Sequence, residues 1–572
     1  MALIGIDLGT TNSLVCTYKN GEIIHIPNQF GEYMTPSAVY YDNNKIIVGK
    51  YAKQYKMFYP DNTATSFKLF MGSDKEILLG DKTFTPEELS AFVIQILVND
   101  AQNYLNEQID EAVISVPAYF DDNKRCATKR AAELAGIKVE RLINEPSAAA
   151  LYYQIYNHKK DGCIMIIDMG GGTLDVSIVD CFENIIEIIG ISGDNNLGGN
   201  DFSDIIVNEF CKQHKISELI SNDEKSILFS QAEELKQLIA KQETVKIELK
   251  RKNDILTSKF SRSDIFEICK PVLERVELVI RNAIKNCMRK VKVQDVVLVG
   301  GSAKFVILQD FLTQLFSKTP TIPENPDFLV SSGLGVYLGI KSRAEQLQDI
   351  VMTDVCPFSL GIASYTRYNL QIPHMEIIIP RNSMLPCAHT RKFYTSVDGQ
   401  EILNFEIFEG EEYYTAKNKK LGQIEISVPP DKAGYQWGLV TFSYDINGIL
   451  SVSVKSSSGD CNNKIILNPN INLSEKDLER AKENQKKLLY QPDIDLQTYS
   501  LLNELVSLYP HAGINEKERI IYLISYYEST FEPDSLIIQK RQQLFIQDEI
   551  EQIKDIIYNK PNYLDFWQDE EE

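Results

Sequence analysis

The sequence predicts a multidomain chain in which two duplicated α/β lobes are followed by a β-sandwich and then by an α-helical segment. Three observations carry this. The plan of strand, turn, strand and hairpin over residues 3 to 26 recurs at residues 163 to 191, with an aspartate, Asp7 or Asp168, opening each glycine-containing turn. From Pro357 to Leu467 apolar residues alternate over short runs, as at Leu403, Phe405 and Ile407. Beyond Ser474 the alternation gives way to helical periodicity.

The elements follow in order. Asn20-Gly21 closes the first hairpin, because both residues tolerate the positive φ that a two-residue turn requires. "AVISVP" is a buried strand, and the run from Asp121 to Ala135 has helical spacing. "DVVLVGGSAKFVILQDFLTQLF" reads as strand, Gly-Gly turn and helix, with Ser302 as its cap. Asn447-Gly448 marks a hairpin in the all-β region, and "SEKD" at Ser474 is a capping box. A long last helix is expected between Pro533 and Pro561, before a solvated acidic tail. The expected divisions are 1–348 for the paired lobes, 349–355 for a linker, 356–470 for the sandwich and 471–572 for the helical region. The linker "DIVMTDV" is apolar where a passive connector would be polar.

The formal net charge of -21 over 572 residues argues against nucleic acid as the main partner, since phosphate backbones are bound by clustered Lys and Arg. Ten cysteines are scattered without a CxxC pair or zinc spacing, which reads as reduced core thiols. Neither a secretory leader nor a long apolar span is legible, so a soluble cytoplasmic protein is expected.

What the repeated turns hold is a matter of their chemistry. Neither matches GxxxxGK[ST], and a strand rather than a helix follows each. Glycines let a phosphate approach the backbone, and Thr10, Thr11 and Thr173 supply hydroxyls. Asp7 and Asp168 would repel phosphate unless a cation lay between, and hydrated Mg²⁺ suits few carboxylates. A single such turn could be only a tight hairpin. Two in register, with a third Gly-Gly turn before a helix, point to a nucleotide.

"GIDLGTTNS", "VPAYF", "RLINEPSAAAL", "IDMGGGTLDVS", "GDNNLGGNDF", "VVLVGGS" and "DVCPFSLGI" occur in that order. By these motifs residues 1 to about 345 resemble the actin-like ATPase fold, and nearly the whole chain resembles the seventy-kilodalton heat-shock (DnaK-like) chaperones. "GEYMTPSAV", "TDVCPFSLGI" and "FSYDINGIL" look most like the bacterial HscC type. The resemblance implies an ATP-dependent chaperone that binds short extended apolar segments of client polypeptides, with a nucleotide-exchange or holdase-type binding protein as the alternative. It also implies ATP or ADP with Mg²⁺, K⁺ as an optional ion, a J-domain co-chaperone, an optional exchange factor and a monomeric state, without nucleic acid or membrane.

Carried over residue by residue, the resemblance gives Asp7 and Asp168, with Glu145 outside them, to water-bound Mg²⁺. It gives Gly9, Thr10, Thr11, Asn12, Gly170, Gly171, Gly172 and Thr173 to the phosphates, and Lys68, Glu145, Thr173 and Asp175 to hydrolysis. Gly198, Gly199, Glu233, Lys236, Gln237, Gly300, Gly301, Ser302, Lys304 and Asp327 surround the adenosine. Gln237 and Lys304 stand where the family commonly has arginines, Ala240 replaces a serine, and Thr353 dilutes the linker. Ile362, Phe393, Leu403 and Phe405 map to the peptide pocket, with Tyr365 and Ser396 arching over it. Pro117 and Arg125 map to a relay, Arg141 and Asn144 to the J-domain surface, and Ile350, Val351 and Met352 to the coupling linker. Read without the family, Lys68 is a surface lysine, Glu233 and Lys236 an i, i+3 helix pair, and Leu403 and Phe405 sandwich core residues.

Overall fold

The computed structural model describes all residues except 1, 57, 157–160, 183–184, 218–219, 252–253, 290–291, 345–346, 348–349, 367–368, 460, 466–487, 490–495, 510–511, 513, 531–535 and 559–572. The "SEKD" box, the acidic tail, Asp349 and the 470/471 division therefore lie outside the described residues. Among those described, nine cysteines are free thiols, and no helix is long and apolar enough to cross a membrane.

Two five-strand paths share one plan. In the first, Leu3–Asp7 pairs antiparallel with Asn12–Lys19 and parallel with Glu111–Val116. Glu22–His25 and Lys138–Asn144 flank these on either side. In the second, Gly162–Met169 pairs antiparallel with Leu174–Phe182 and parallel with Val293–Val299, and Ile185–Asp194 follows. Both first strands are almost wholly buried, as strands covered on both faces should be. At Asn20 (φ 57) and Gly21 (φ 88) the hairpin has the predicted left-handed turn.

The two α/β units meet at crossed helices, Glu145–Tyr156 against Leu329–Lys341. At the crossing a Cβ on Gly333 would stand 1.8 Å from the Ala148 carbonyl oxygen, so only glycine permits this approach. The surrounding core draws on both sheets through Val113, Ile143, Ile166 and Val299.

Residues 360–465 form two four-stranded sheets packed over one core that includes Leu360, Ile407, Phe442 and Val452. The alternating burial of Lys419–Ser427 and Trp437–Tyr444 matches the alternating sequence. The predicted hairpin at Asn447-Gly448 is present, Trp437–Tyr444 pairing antiparallel with Leu450–Ser456, but its turn is wider than two residues: Asp445 N donates to Ile449 O, and of the two residues only Gly448 has positive φ. Three C-terminal helices, Leu496–Leu508, Ile514–Thr530 and Leu536–Tyr558, complete the described chain.

The linker is built into the second α/β unit. Val351–Thr353 adds a parallel edge strand to Ile185–Asp194, with Met352 opposite Ile186. Ile350 and Met352 pack on the apolar core, whereas Val351 is 52% exposed. The wide turn of the sandwich meets the first unit. Arg125, almost fully buried, donates to Asn447 O (3.2 Å), Asn144 Oδ1 (2.7 Å) and Phe120 O (3.0 Å). Leu142 N donates to Asn447 Oδ1 at 3.0 Å. Asn144 is thus buried beneath Arg125 in this arrangement. Pro117 is buried nearby and its carbonyl accepts from Phe120 N, while Arg141 lies over the Tyr337 ring at 5.0 Å.

The same contact buries charge. Leu450 N donates to Asp122 Oδ1 at 2.7 Å, and Asp122 Oδ2 is left buried without a partner. Glu409 of the sandwich is buried beside it. Asp121 and Lys419 form an ion pair at 2.6 Å across the contact, and Arg125 and the Tyr444 hydroxyl face the cluster. Burial pushes Asp122 up to about 7 and Glu409 well above the usual carboxylate range.

Two outcomes are expected. Met352→Asp should weaken docking of the sandwich by about 2 kcal/mol or more, because it forces a carboxylate into an apolar core, whereas Val351→Asp should change it little. Dyes placed on the second α/β unit and the sandwich report the distance, and equal effects of the two variants would refute the inward assignment of Met352. Docking should also depend on pH. Its raised carboxylate pKa values favour the protonated form, so the contact weakens as pH rises from about 4 to about 7. The double variant Asp122→Asn, Glu409→Gln should flatten that dependence, and an unchanged profile would show that other groups cause it.

Candidate active site

Asp7 ends its strand and Asp168 stands one residue before the end of its own, so each sheet delivers a carboxylate to the gap beyond its strand ends. The gap holds a cavity of 680 Å³. Of the predicted residues, Asp7, Gly9, Thr10, Thr11, Asn12, Lys68, Glu145, Asp168, Gly170, Gly171, Thr173, Gly199, Glu233, Lys236, Gln237, Gly300, Gly301, Ser302, Lys304 and Asp327 line it.

Three predicted residues stand behind the lining. A Cβ on Gly172 would be 3.0 Å from Leu69 Cδ2, and one on Gly198 would be 2.4 Å from Gly172 N, so both glycines let the turns close on each other. Asp175 sits opposite Asp168 in the strand register, is buried, and accepts Tyr119 N at 3.0 Å.

Lys68 is not a surface residue. It belongs to the short turn Phe67–Phe70, is 3% exposed, and donates to Glu145 Oε1 at 2.7 Å. Glu145 opens its helix, where the backbone amides favour a carboxylate. Ser115 Oγ donates to Asp7 Oδ1 at 2.6 Å from the neighbouring parallel strand. Gly300, at φ +80, passes so close to Asp168 that a Cβ would fall 2.7 Å from its Oδ1.

The electrostatics are lopsided. Asp7, Asp168, Asp175 and Glu145 share a buried region with Lys68, and the charge of buried Arg125 reaches Asp175 from beside it. Burial, followed by the charge of Glu145, holds Asp7 and Asp168 above the ordinary carboxylate range and pushes Asp175 up to about 7. Thr11 Oγ1 is buried without a hydrogen-bond partner. Excess buried carboxylate and an orphaned hydroxyl beside glycine turns fit a polyphosphate with a divalent cation. No three His, Cys, Asp or Glu side chains converge as direct metal ligands among the described residues.

At the far end Lys236 donates to Gly199 O at 2.8 Å and pairs with Glu233 at 2.7 Å, so the two form the helix pair as well as lining the cavity. Ser302 does not cap a helix. The following helix starts at Val306 without a side-chain cap, and Ser302 Oγ donates to Gly170 O at 2.9 Å instead. Lys304 forms an ion pair with Asp327. The sequence reading missed Lys53, Met34, Asn200, Phe202, Lys241, Phe305, Pro326 and Val330 in the lining. It also missed Ser115, whose signal was a polar residue inside a wholly apolar strand.

In the sandwich Ile362, Leu403 and Phe405 are buried in the common core, and Phe393 lies half-buried with its ring 5.8 Å from Phe405. Leu403 and Phe405 reach Gly438, where a Cβ would be 2.9 Å from Phe405 Cζ, and Phe393 stands opposite it in the strand register. Tyr365 is exposed, and Ser396 N donates to Gln400 Oε1 at 2.8 Å.

A model of the family described as Hsp70 protein matches residues 3–78 and 75–507, so the matched stretch takes in both sheets, the cavity, the linker, the sandwich and the first C-terminal helix. With the paired aspartate turns and the apolar linker strand all inside it, the chain belongs to the Hsp70 protein family.

Proposed function

We propose that this chain is an ATP-hydrolysing, peptide-binding chaperone of the HscC type, in which nucleotide in the 680 Å³ cavity controls client binding in the sandwich. Hsp70 family members are in general ATPases that bind ATP or ADP with Mg²⁺, client polypeptides and J-domain co-chaperones. The observation that carries the reading is the buried Lys68 facing a gap flanked by one aspartate turn from each sheet.

In this reading residues 1–348 are the ATPase, 349–355 the linker, 356–470 the peptide-binding domain and 471–572 the lid of a cytoplasmic monomer. Bound Mg²⁺ would supply neutralisation of charge between carboxylates and phosphates. Asp7 and Asp168 would hold its waters, with Glu145 outside them. Thr10, Thr11 and the glycine turns position the polyphosphate. Lys68 offsets negative charge on the transferred phosphoryl group, while Thr173, Asp175 and Glu145 orient the attacking water. Coupling runs through Arg125, which bonds Asn144 and Asn447 together, and through the Val351–Thr353 strand. The cluster around Gly438 is the place for one apolar client side chain, once Phe393, Leu403 and Phe405 part.

Lys68→Ala and Thr173→Ala should each keep nucleotide binding and lose hydrolysis by roughly 10²-fold, because both act on the transferred group. Single-turnover assays decide this, and a variant that hydrolyses at the parent rate removes that residue from the mechanism. Gln237→Arg should slow ADP release by a few-fold to about tenfold, since a guanidinium over adenine adds a stacked planar cation. Lys304 does not substitute for it, because its amine is held by Asp327. Stopped-flow release of labelled ADP is the measurement, and unchanged release would refute the stacking argument.

A further inference from the structure

The two α/β units are joined at the crossed helices and separate towards the cavity mouth, which two other helices border. Lys50–Tyr55 brings Lys53 to the lining from the first unit, and Asn222–Leu238 brings Glu233, Lys236 and Gln237 from the second. The Lys53 side chain is exposed at the rim and feels the charge of Glu233 across the gap.

Both helices also enter a second structure. Tyr51 of the first and Ile227 of the second, 3% and 4% exposed, belong to one continuous apolar cluster with the C-terminal helices, which contribute Leu505, Leu523 and Ile550. The Phe58 and Tyr509 rings meet edge to face at 4.6 Å. Ile46 forms a parallel bridge with Leu489, so the start of the C-terminal region is pinned by backbone as well. A rigid body packed on both sides of an opening resists its widening, because separating the sides would expose the apolar surface they share with it.

We infer that the C-terminal helices act as a clasp across the mouth of the nucleotide cavity and set the rate at which nucleotide leaves. The inference rests on the nucleotide reading of that cavity. It assigns the helices an action on the ATPase cleft itself, separate from any covering of the peptide site. Ile227 and Tyr509 are the residues to test, since neither lines the cavity and they stand on opposite sides of the contact.

The test is stopped-flow release of fluorescently labelled ADP from the full chain. Ile227→Asp and Tyr509→Ala should each release the label three- to tenfold faster, and the double variant should do little more, because both break one contact. Ile227→Ala should show the same direction more weakly, and it decides the matter if the aspartate variant does not fold. Release at the parent rate from folded Ile227→Ala and Tyr509→Ala would overturn the clasp. A parent chain that binds no labelled ADP would overturn the nucleotide reading beneath it, and the two failures differ in whether the parent gives a binding signal.

Discussion

The approach of Gly333 to the Ala148 carbonyl is the constraint on which the site depends. A side chain there would push the two crossed helices apart by more than an ångström, and while Leu329–Lys341 is seated on strands of the first sheet, Glu145–Tyr156 packs on strands of both. Their separation fixes how Asp7 and Asp168 face one another. It also fixes Glu145, the first residue of one crossed helix, and through it the buried end of Lys68. A backbone contact that does not itself line the cavity thereby sets the spacing of the charges within it.

Those charges do not balance within the protein. Four carboxylates with one lysine among them, all buried, make a site that is costly while empty and that favours any ligand bringing positive charge and hydrogen-bond acceptors together. The fold supports the imbalance with local partners: Ser115 for Asp7, the Tyr119 amide for Asp175, Lys68 for Glu145. Such partners hold orientation without removing the charge, which is the combination that a phosphate-transferring site requires.

The sandwich meets the first α/β unit through Arg125 and Asn447, and joins the second through the linker strand. Each contact is small and partly polar. Asp122 and Glu409 are buried there at a cost, which subtracts from what holds the contact together. An element poised in that way can be shifted by a modest difference in ligand affinity. A large apolar interface could not.

The repeated turns, the Asn20-Gly21 hairpin and the alternating strands were legible because each is a local pattern whose physical cause lies within a few residues. The aspartate turns carried the cavity lining with them, since glycine and hydroxyl residues in a hairpin state their chemistry in sequence. Lys68 was legible only by resemblance, because nothing in "TSFKLF" separates a buried lysine from an exposed one. Ser302 was read as a helix cap and instead donates to the Gly170 carbonyl, as a hydrogen bond goes to whichever group the fold brings near. The tertiary structure alone decided that Met352 turns inward while Val351 faces solvent, that Lys53 borders the cavity, and that Ile227 and Tyr51 share one cluster. In each case the deciding neighbour is far away in sequence, and only packing determines which distant surfaces are closed from water.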